Sequence, residues 1–122
     1  MTDQPRSYLC NGVRLTPIVV FGRTWLREDE LAAAAGYPRV EDLRRRTLDA
    51  GIYRGGMSTT YLDTPAGRRL MRVYSPAGAL QLALYLKATR SPEYQRRAHT
   101  LMRTLYEIQC GGFTTQDQEA RA

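Results

Sequence analysis

The residues of this sequence best suited to chemistry are its arginines. Seventeen of its eighteen basic residues are Arg, Lys87 being the exception. A guanidinium presents a planar fork to phosphate, carboxylate or guanine, where an ammonium presents a point charge. A GC-rich genome favours Arg over Lys throughout a protein and accounts for much of that ratio, but not for position. Residues 68–103 carry Arg68, Arg69, Arg72, Lys87, Arg90, Arg96, Arg97 and Arg103 against Glu93 alone, a net of +7. Residues 1–67 net +1 and residues 104–122 net −2, so nearly all of the chain's +6 excess belongs to one contiguous third. Such a block attracts polyanions over the screening distance of about 8 Å at physiological salt.

Other chemistry has less material. The sequence holds one histidine, His99, and two cysteines, Cys10 and Cys110, a hundred residues apart and outside any CxxC arrangement. With no acidic ligand cluster beside them, a zinc site is not expected. Both thiols are expected to be free in a reducing compartment. A thiol–histidine nucleophile pair remains possible by composition, but His99 lies among helix formers and reads as a helix-surface side chain. Ser75, Ser91 and Thr64 read as caps or turn residues rather than nucleophiles. Gly55-Gly56 and Gly111-Gly112 are breakers and belong to no phosphate-loop signature. The chain therefore reads as a binding module rather than an enzyme, with no cofactor implied.

A length of 122 residues fits one domain with a core that needs no staples. No stretch approaches the roughly 20 apolar residues of a membrane span, and the N-terminus has no secretion signal. A cytoplasmic protein without a membrane partner is expected.

The elements that must position the arginines follow from periodicity and turn chemistry. Residues 1–7 are polar and expected to be disordered. Ile18 to Phe21 and Thr24 to Leu26 flank Gly22-Arg23 and read as a β-hairpin. Glu28-Asp29-Glu30 opens an Ala-rich helix to Ala35 that stops at Gly36. A second helix runs from Arg39 to Ala50, with Val40, Leu43 and Thr47 at helical spacing. Residues 51–67 read as a loop enclosing a short strand at Thr60-Tyr61-Leu62. That strand pairs with Arg68–Tyr74 across a turn at 63–67. On the Arg68–Tyr74 strand, Arg69, Met71 and Val73 share one side, and Arg68, Leu70, Arg72 and Tyr74 the other. Ser75-Pro76 starts a nearly all-apolar, central helix. Ser91-Pro92-Glu93 starts the last one, with Tyr94, Ala98, Leu101, Leu105 and Ile108 on its core side and Arg96, Thr100, Arg103 and Glu107 opposite. Gly111-Gly112 is expected to end it, leaving a flexible polar tail over 111–122. The fold class is α+β, a single small domain over 8–110 with two β-hairpins and about four helices in ββααββαα order.

Val20-Phe21-Gly22-Arg23-Thr24-Trp25-Leu26, followed by Asp29 to Tyr37, resembles the opening of Bro-N domains of phage antirepressors and viral Bro proteins. Arg72 to Leu80 resembles that family's passage from strand through a polar residue and Gly into an apolar helix, and Ser91 to Leu105 its closing helix. The resemblance covers about residues 17–108. The chain departs from it at Ala34, in the Gly-rich 51–61 loop, and in having no second domain after the module. It implies a compact α+β fold, a viral or prophage origin in a bacterial host cytoplasm, and gene regulation through DNA or a regulator protein. Leu31-Ala32-x-x-x-Gly36 with Arg72 to Pro76 also echoes the winged-helix start of MerR-like regulators, though that pattern accommodates the preceding strand pair poorly.

Two candidate sites follow. Helices 28–35 and 39–50 resemble a helix-turn-helix whose second helix would enter the major groove with Arg44, Arg45 and Arg46 as readers. Against it, Glu41 and Asp42 stand i,i+4 to Arg45 and Arg46, and with Asp49 they balance the three arginines. The stronger candidate joins Arg68, Arg69 and Arg72 on the strand to Arg90, Arg96, Arg97 and Arg103 around the last helix, as one basic surface with an aromatic in it. Its plain structural alternative is a solvated face rich in Arg. The expected partner is DNA, bound by a homodimeric regulatory module. The alternative is an inhibitor that docks on a host or phage DNA-handling protein.

Overall fold

The computed structural model describes residues 7–20, 22–52, 54–87 and 91–121. The polar segment 1–6 and Arg90 therefore lie outside the described residues. The fold is α+β, as the sequence implies: strands β1 (Tyr8–Cys10), β2 (Val13–Leu15), β3 (Ile18–Val20) and β4 (Arg23–Arg27), then helices α1 (Glu28–Ala35) and α2 (Val40–Ala50). A 3-10 turn at Arg54–Gly56 leads to β5 (Met57–Thr64), β6 (Gly67–Tyr74), α3 (Pro76–Lys87) and α4 (Pro92–Arg121).

Among the described residues three antiparallel hairpins form, one more than the sequence reading placed. β1–β2 stands alone, and the other two join into one sheet ordered β3-β4-β6-β5. The join is short: Leu26 faces Tyr74 and Arg27 faces Val73. Beyond it, β5 and β6 continue as a two-stranded arm paired without interruption from Met57↔Tyr74 to Thr64↔Gly67. The strand expected at 60–62 is thus eight residues long. The β1–β2 turn is Asn11-Gly12, both with positive φ (52° and 79°), the conformation a tight hairpin turn requires. The Asn11 side-chain amide donates to Ala34 O at 2.8 Å and Arg97 O at 3.0 Å, tying this hairpin to α1 and α4.

Leu26, Leu31, Leu43, Tyr74, Leu82 and Leu101 are among the core residues, contributed by sheet and all four helices. Helix boundaries follow their local chemistry. Gly36 (φ 94°) and Gly51 (φ 64°) cap α1 and α2 in the left-handed region. Ser75 Oγ accepts from Gly78 N at 3.0 Å, the side-chain cap expected before Pro76. α4 runs through Gly111-Gly112 to Arg121 instead of ending at the glycine pair. Two glycines cost about 1 kcal/mol each in a helix interior, too little to stop one whose first turns are nucleated and docked.

The three acids that open α1 each hold a different element. Glu28 faces α2 and β6. Asp29 receives two hydrogen bonds from Arg27, at 3.1 and 2.9 Å. Glu30 accepts Thr16 N at 2.8 Å, fixing the β2–β3 connection, and burial pushes its carboxyl up against the lowering effect of that hydrogen bond.

Gly78 packs where a side chain does not fit. A Cβ there would lie inside van der Waals contact of the Gly56 carbonyl, which also accepts Ser75 N at 3.0 Å. Gly78→Ala should lower the urea midpoint by an amount equivalent to about 1–3 kcal/mol, whereas relief of glycine's backbone entropy alone would raise it.

Candidate nucleic-acid interface

Nine of the ten arginines singled out by sequence lie among the described residues, Arg90 being the exception, and they are spread over α2, β6 and α4. The β5–β6 arm packs against β4, α1 and α3, while α4 packs against α3, α1 and β1. Among the described residues, neither the arm and α4 nor the arm and α2 are principal packing neighbours, so packing alone groups Arg68, Arg69 and Arg72 with neither helix.

On α4, Arg96 and Arg103 are exposed on the side opposite the core, as the spacing predicts. Arg97 is partly consumed by structure. Its chain lies over Gly36, where a Cβ would meet Arg97 Cδ at 2.8 Å, and its guanidinium faces Glu93 at 3.5 Å. Arg96, Arg97, Asn11 and Thr100 line a shallow, polar depression. Arg46 belongs to this side too. It sits beside the Tyr37 and Tyr85 rings, with Tyr37 the larger influence holding its guanidinium charged. Tyr37 in turn stacks on Tyr94 of α4 at 5.4 Å.

The arrangement of α2 overturns the expected surface pairs. Among the described residues, no ion pair joins Glu41 to Arg45 or Asp42 to Arg46. Asp42 faces Arg39 at 3.8 Å instead. Arg44 reaches off its own helix to Glu28, with Nε to Oε2 at 3.1 Å and Nη2 to Oε1 at 2.6 Å. Glu28 is 2% exposed, so this bidentate pair compensates a carboxylate withdrawn from water. The same Oε1 accepts the backbone N–H of Arg72 at 3.4 Å. One buried carboxylate therefore joins α1, α2 and the arm at the point where β6 leaves the sheet.

This junction sets which face of the arm looks toward α2. Residues directly opposite in an antiparallel pair share a face. Thr59–Arg72, Tyr61–Leu70 and Asp63–Arg68 therefore lie on one side with Tyr74, and Arg69 on the other with Met71 and Val73. Tyr74 is fully buried and close enough to contribute to the field at Arg44, so its face is the one turned to α2. The aromatic expected within the basic surface is consequently not Tyr74 but Tyr61, which is 59% exposed. The Arg68–Asp63 contact, 4.0 Å between two well-exposed side chains, leaves Arg68 largely solvated. Along α2, Glu41, Arg45 and Leu48 are exposed on the flank that also carries Arg44. The result is Arg44 on the helix and the Arg72 backbone on the arm meeting at Glu28, with Arg45 exposed on α2 and Arg68 exposed farther out on β6. Sequence reasoning had the residues but not the grouping, because the Arg44–Glu28 pair spans 16 positions.

The opposite face of the sheet carries a groove between the hairpins, with Trp25, Ser58, Thr60 and Val73 in its lining and Arg23 over the Trp25 ring at 4.7 Å. Among the described residues, no group of three or more His, Cys, Asp or Glu could hold a metal ion, and no helix is long and apolar enough to cross a membrane. Cys110 lies eleven positions along α4 from exposed His99, roughly 16 Å of helical rise. Cys10 is buried, and burial pushes its thiol up despite a hydrogen bond with Thr104.

Two outcomes follow. Ellman's reagent should titrate one thiol, Cys110, in the folded chain and both after denaturation; two rapid equivalents would contradict the burial of Cys10. Glu28→Ala should cost about 2 kcal/mol in urea unfolding, the scale of hydrogen bonds to a charged group, and an unchanged midpoint would mean the junction holds without it. No family model, curated protein or solved structure matches this chain.

Proposed function

We propose that this chain is a DNA-binding regulatory module of the antirepressor kind, holding duplex DNA through the surface shared by α2 and the β5–β6 arm. The observation that carries the reading is the Glu28 junction, where one buried carboxylate holds the Arg44 side chain of α2 and the Arg72 backbone of the arm. An α-helix about 10–12 Å across fits the major groove, about 12 Å wide. With α2 there, the arm reaches the flanking backbone, where its arginines neutralise phosphates and release counterions. Arg44, tied to Glu28, acts chiefly as a strut, leaving Arg45 as the base-reading candidate. The excess charge of +6 and the Bro-N-like segments 20–37 and 72–80 support the same class. On that resemblance, the setting is the cytoplasm of a bacterial host carrying phage or prophage genes.

A second reading has one specific observation behind it. Leu48, 82% exposed on α2, is an apolar residue where a phosphate-facing helix has no use for one. A regulator or DNA-handling protein covering that side would bury it, making the chain a protein-binding inhibitor.

Fluorescence anisotropy of a labelled random duplex, titrated from low to moderate salt, separates the two. DNA binding predicts affinity that falls steeply with salt, and Arg68→Ala with Arg72→Ala should reduce the slope by about two units, one for each phosphate contact. Arg96→Ala with Arg103→Ala, on α4 and outside this junction, should leave it unchanged. A flat anisotropy, with a partner retained on affinity capture after nuclease treatment, would replace this reading with the second.

A further inference from the structure

We infer that β5 is a docking edge for a second copy of this chain, the two arms pairing antiparallel about a twofold axis at Tyr61. β5 is the outermost strand of its sheet, and among the described residues β6 is the only element that packs extensively against it. Its outer edge therefore presents a row of backbone donors and acceptors over eight residues. Exposed edges of that length are ordinarily blunted by Lys, by Pro or by a bulge. None of these occurs in Met57–Thr64, whose ladder with β6 is unbroken and whose centre is Thr59-Thr60-Tyr61-Leu62. β-branched and aromatic residues suit a paired strand.

The occupant follows from the chemistry of the arm. Its faces carry Arg68, Arg69 and Arg72, which disfavours a basic strand alongside. β5 itself carries a single charge, Asp63. Placing Tyr61 opposite Tyr61 of a second copy sets Thr59 opposite Asp63 and Thr60 opposite Leu62. One face then presents the row Leu70, Tyr61, Tyr61, Leu70 across the axis, covering two residues per chain that are 59% and 58% exposed alone. On the same face, Asp63 of each copy is set between its own Arg68 and the Thr59–Arg72 pair of the other. The reverse face brings Leu62 beside Thr60 and Met71. No two like charges stand directly opposite, and the edge is self-complementary, as a twofold interface must be. The backbone seam runs along the β5 edges, so Arg68, Arg69 and Arg72 on β6 lie outside it.

The seam is one pair of eight-residue strand edges, so a weak, concentration-dependent association is expected. Both copies carry excess positive charge, so dimer should increase with added salt, opposite in sign to DNA binding. The two proposals can thus fail separately.

The experiment uses the full chain in two forms. Sedimentation velocity over rising concentration should show a monomer–dimer equilibrium that Tyr61→Lys shifts to monomer, with an unchanged circular dichroism spectrum. In a Cys110→Ser background, Tyr61→Cys should form an interchain disulfide on mild oxidation, because directly opposed Cα atoms lie about 4.5–5.5 Å apart, within disulfide reach. Thr59→Cys should not, its counterpart being about 14 Å away in this register. A chain monomeric at all concentrations, a dimer insensitive to Tyr61→Lys, or equal cross-linking at 59 and 61 would each overturn the inference.

Discussion

The Glu28 carboxylate is the interaction on which the arrangement of the functional surface depends. It is nearly inaccessible to water, and desolvating a carboxylate costs several kcal/mol unless its oxygens are filled. The Arg44 fork fills both, and the Arg72 amide shares one of them. Without those contacts the arm would be held to the sheet mainly by the ladder pairs Leu26↔Tyr74 and Arg27↔Val73 and by packing at its root. The carboxylate fixes the angle between α2 and the arm, and only a fixed angle lets side chains from both elements meet one rigid partner.

Charge density along a sequence is not charge density on a surface. The block from 68 to 103 spans a strand, a largely buried helix and the start of another helix. Arg68 and Arg72 end on β6, while Arg96 and Arg103 are exposed on α4. Arg97, inside the block, lies over a glycine and opposite Glu93. Arg44, outside the block, meets the Arg72 backbone of the arm at Glu28. A positive stretch shows which residues could attract a polyanion, while their grouping depends on contacts between elements that position in the chain does not reveal.

What the sequence made legible was local. The Ser75-Pro76 start, the left-handed Gly36 and Gly51 stops and the core side of α4 are each determined within one or two helical turns. So is the alternation along β6, where Arg72 and Tyr74 fall on one face as the period of two demands. The β1–β2 hairpin was equally legible, since Asn11-Gly12 between apolar residues is a strong turn signal, but three-residue strands gave too little alternation to be noticed. The extent of β5 was hidden for a different reason. Met57, Ser58 and Thr59 resemble loop residues, and their strand state comes from pairing with Arg72, Val73 and Tyr74. The Arg44–Glu28 pair was out of reach altogether, because helix spacing offered Arg45 and Arg46 nearer acids and nothing local favours a partner on another element.

The arm shows why its composition reads as functional rather than structural. Beyond Arg72 it has no core beneath it, and Arg68, Arg69 and Leu70 are exposed. An isolated two-stranded ribbon is marginal in water, so every residue there that favours neither pairing nor solvation costs stability. Leu70 opposite Tyr61 contributes a cross-strand pair, but a large apolar side chain that remains more than half exposed recovers little of its transfer free energy. Arginines on both faces add repulsion along a thin ribbon carrying only Asp63 in return. On the proposed reading, anions would lie against its faces and a second strand against the β5 edge, whose single charge is Asp63. Faces and edge point in perpendicular directions, so both can be satisfied in one assembly, and each satisfied contact stiffens the ribbon that presents the other.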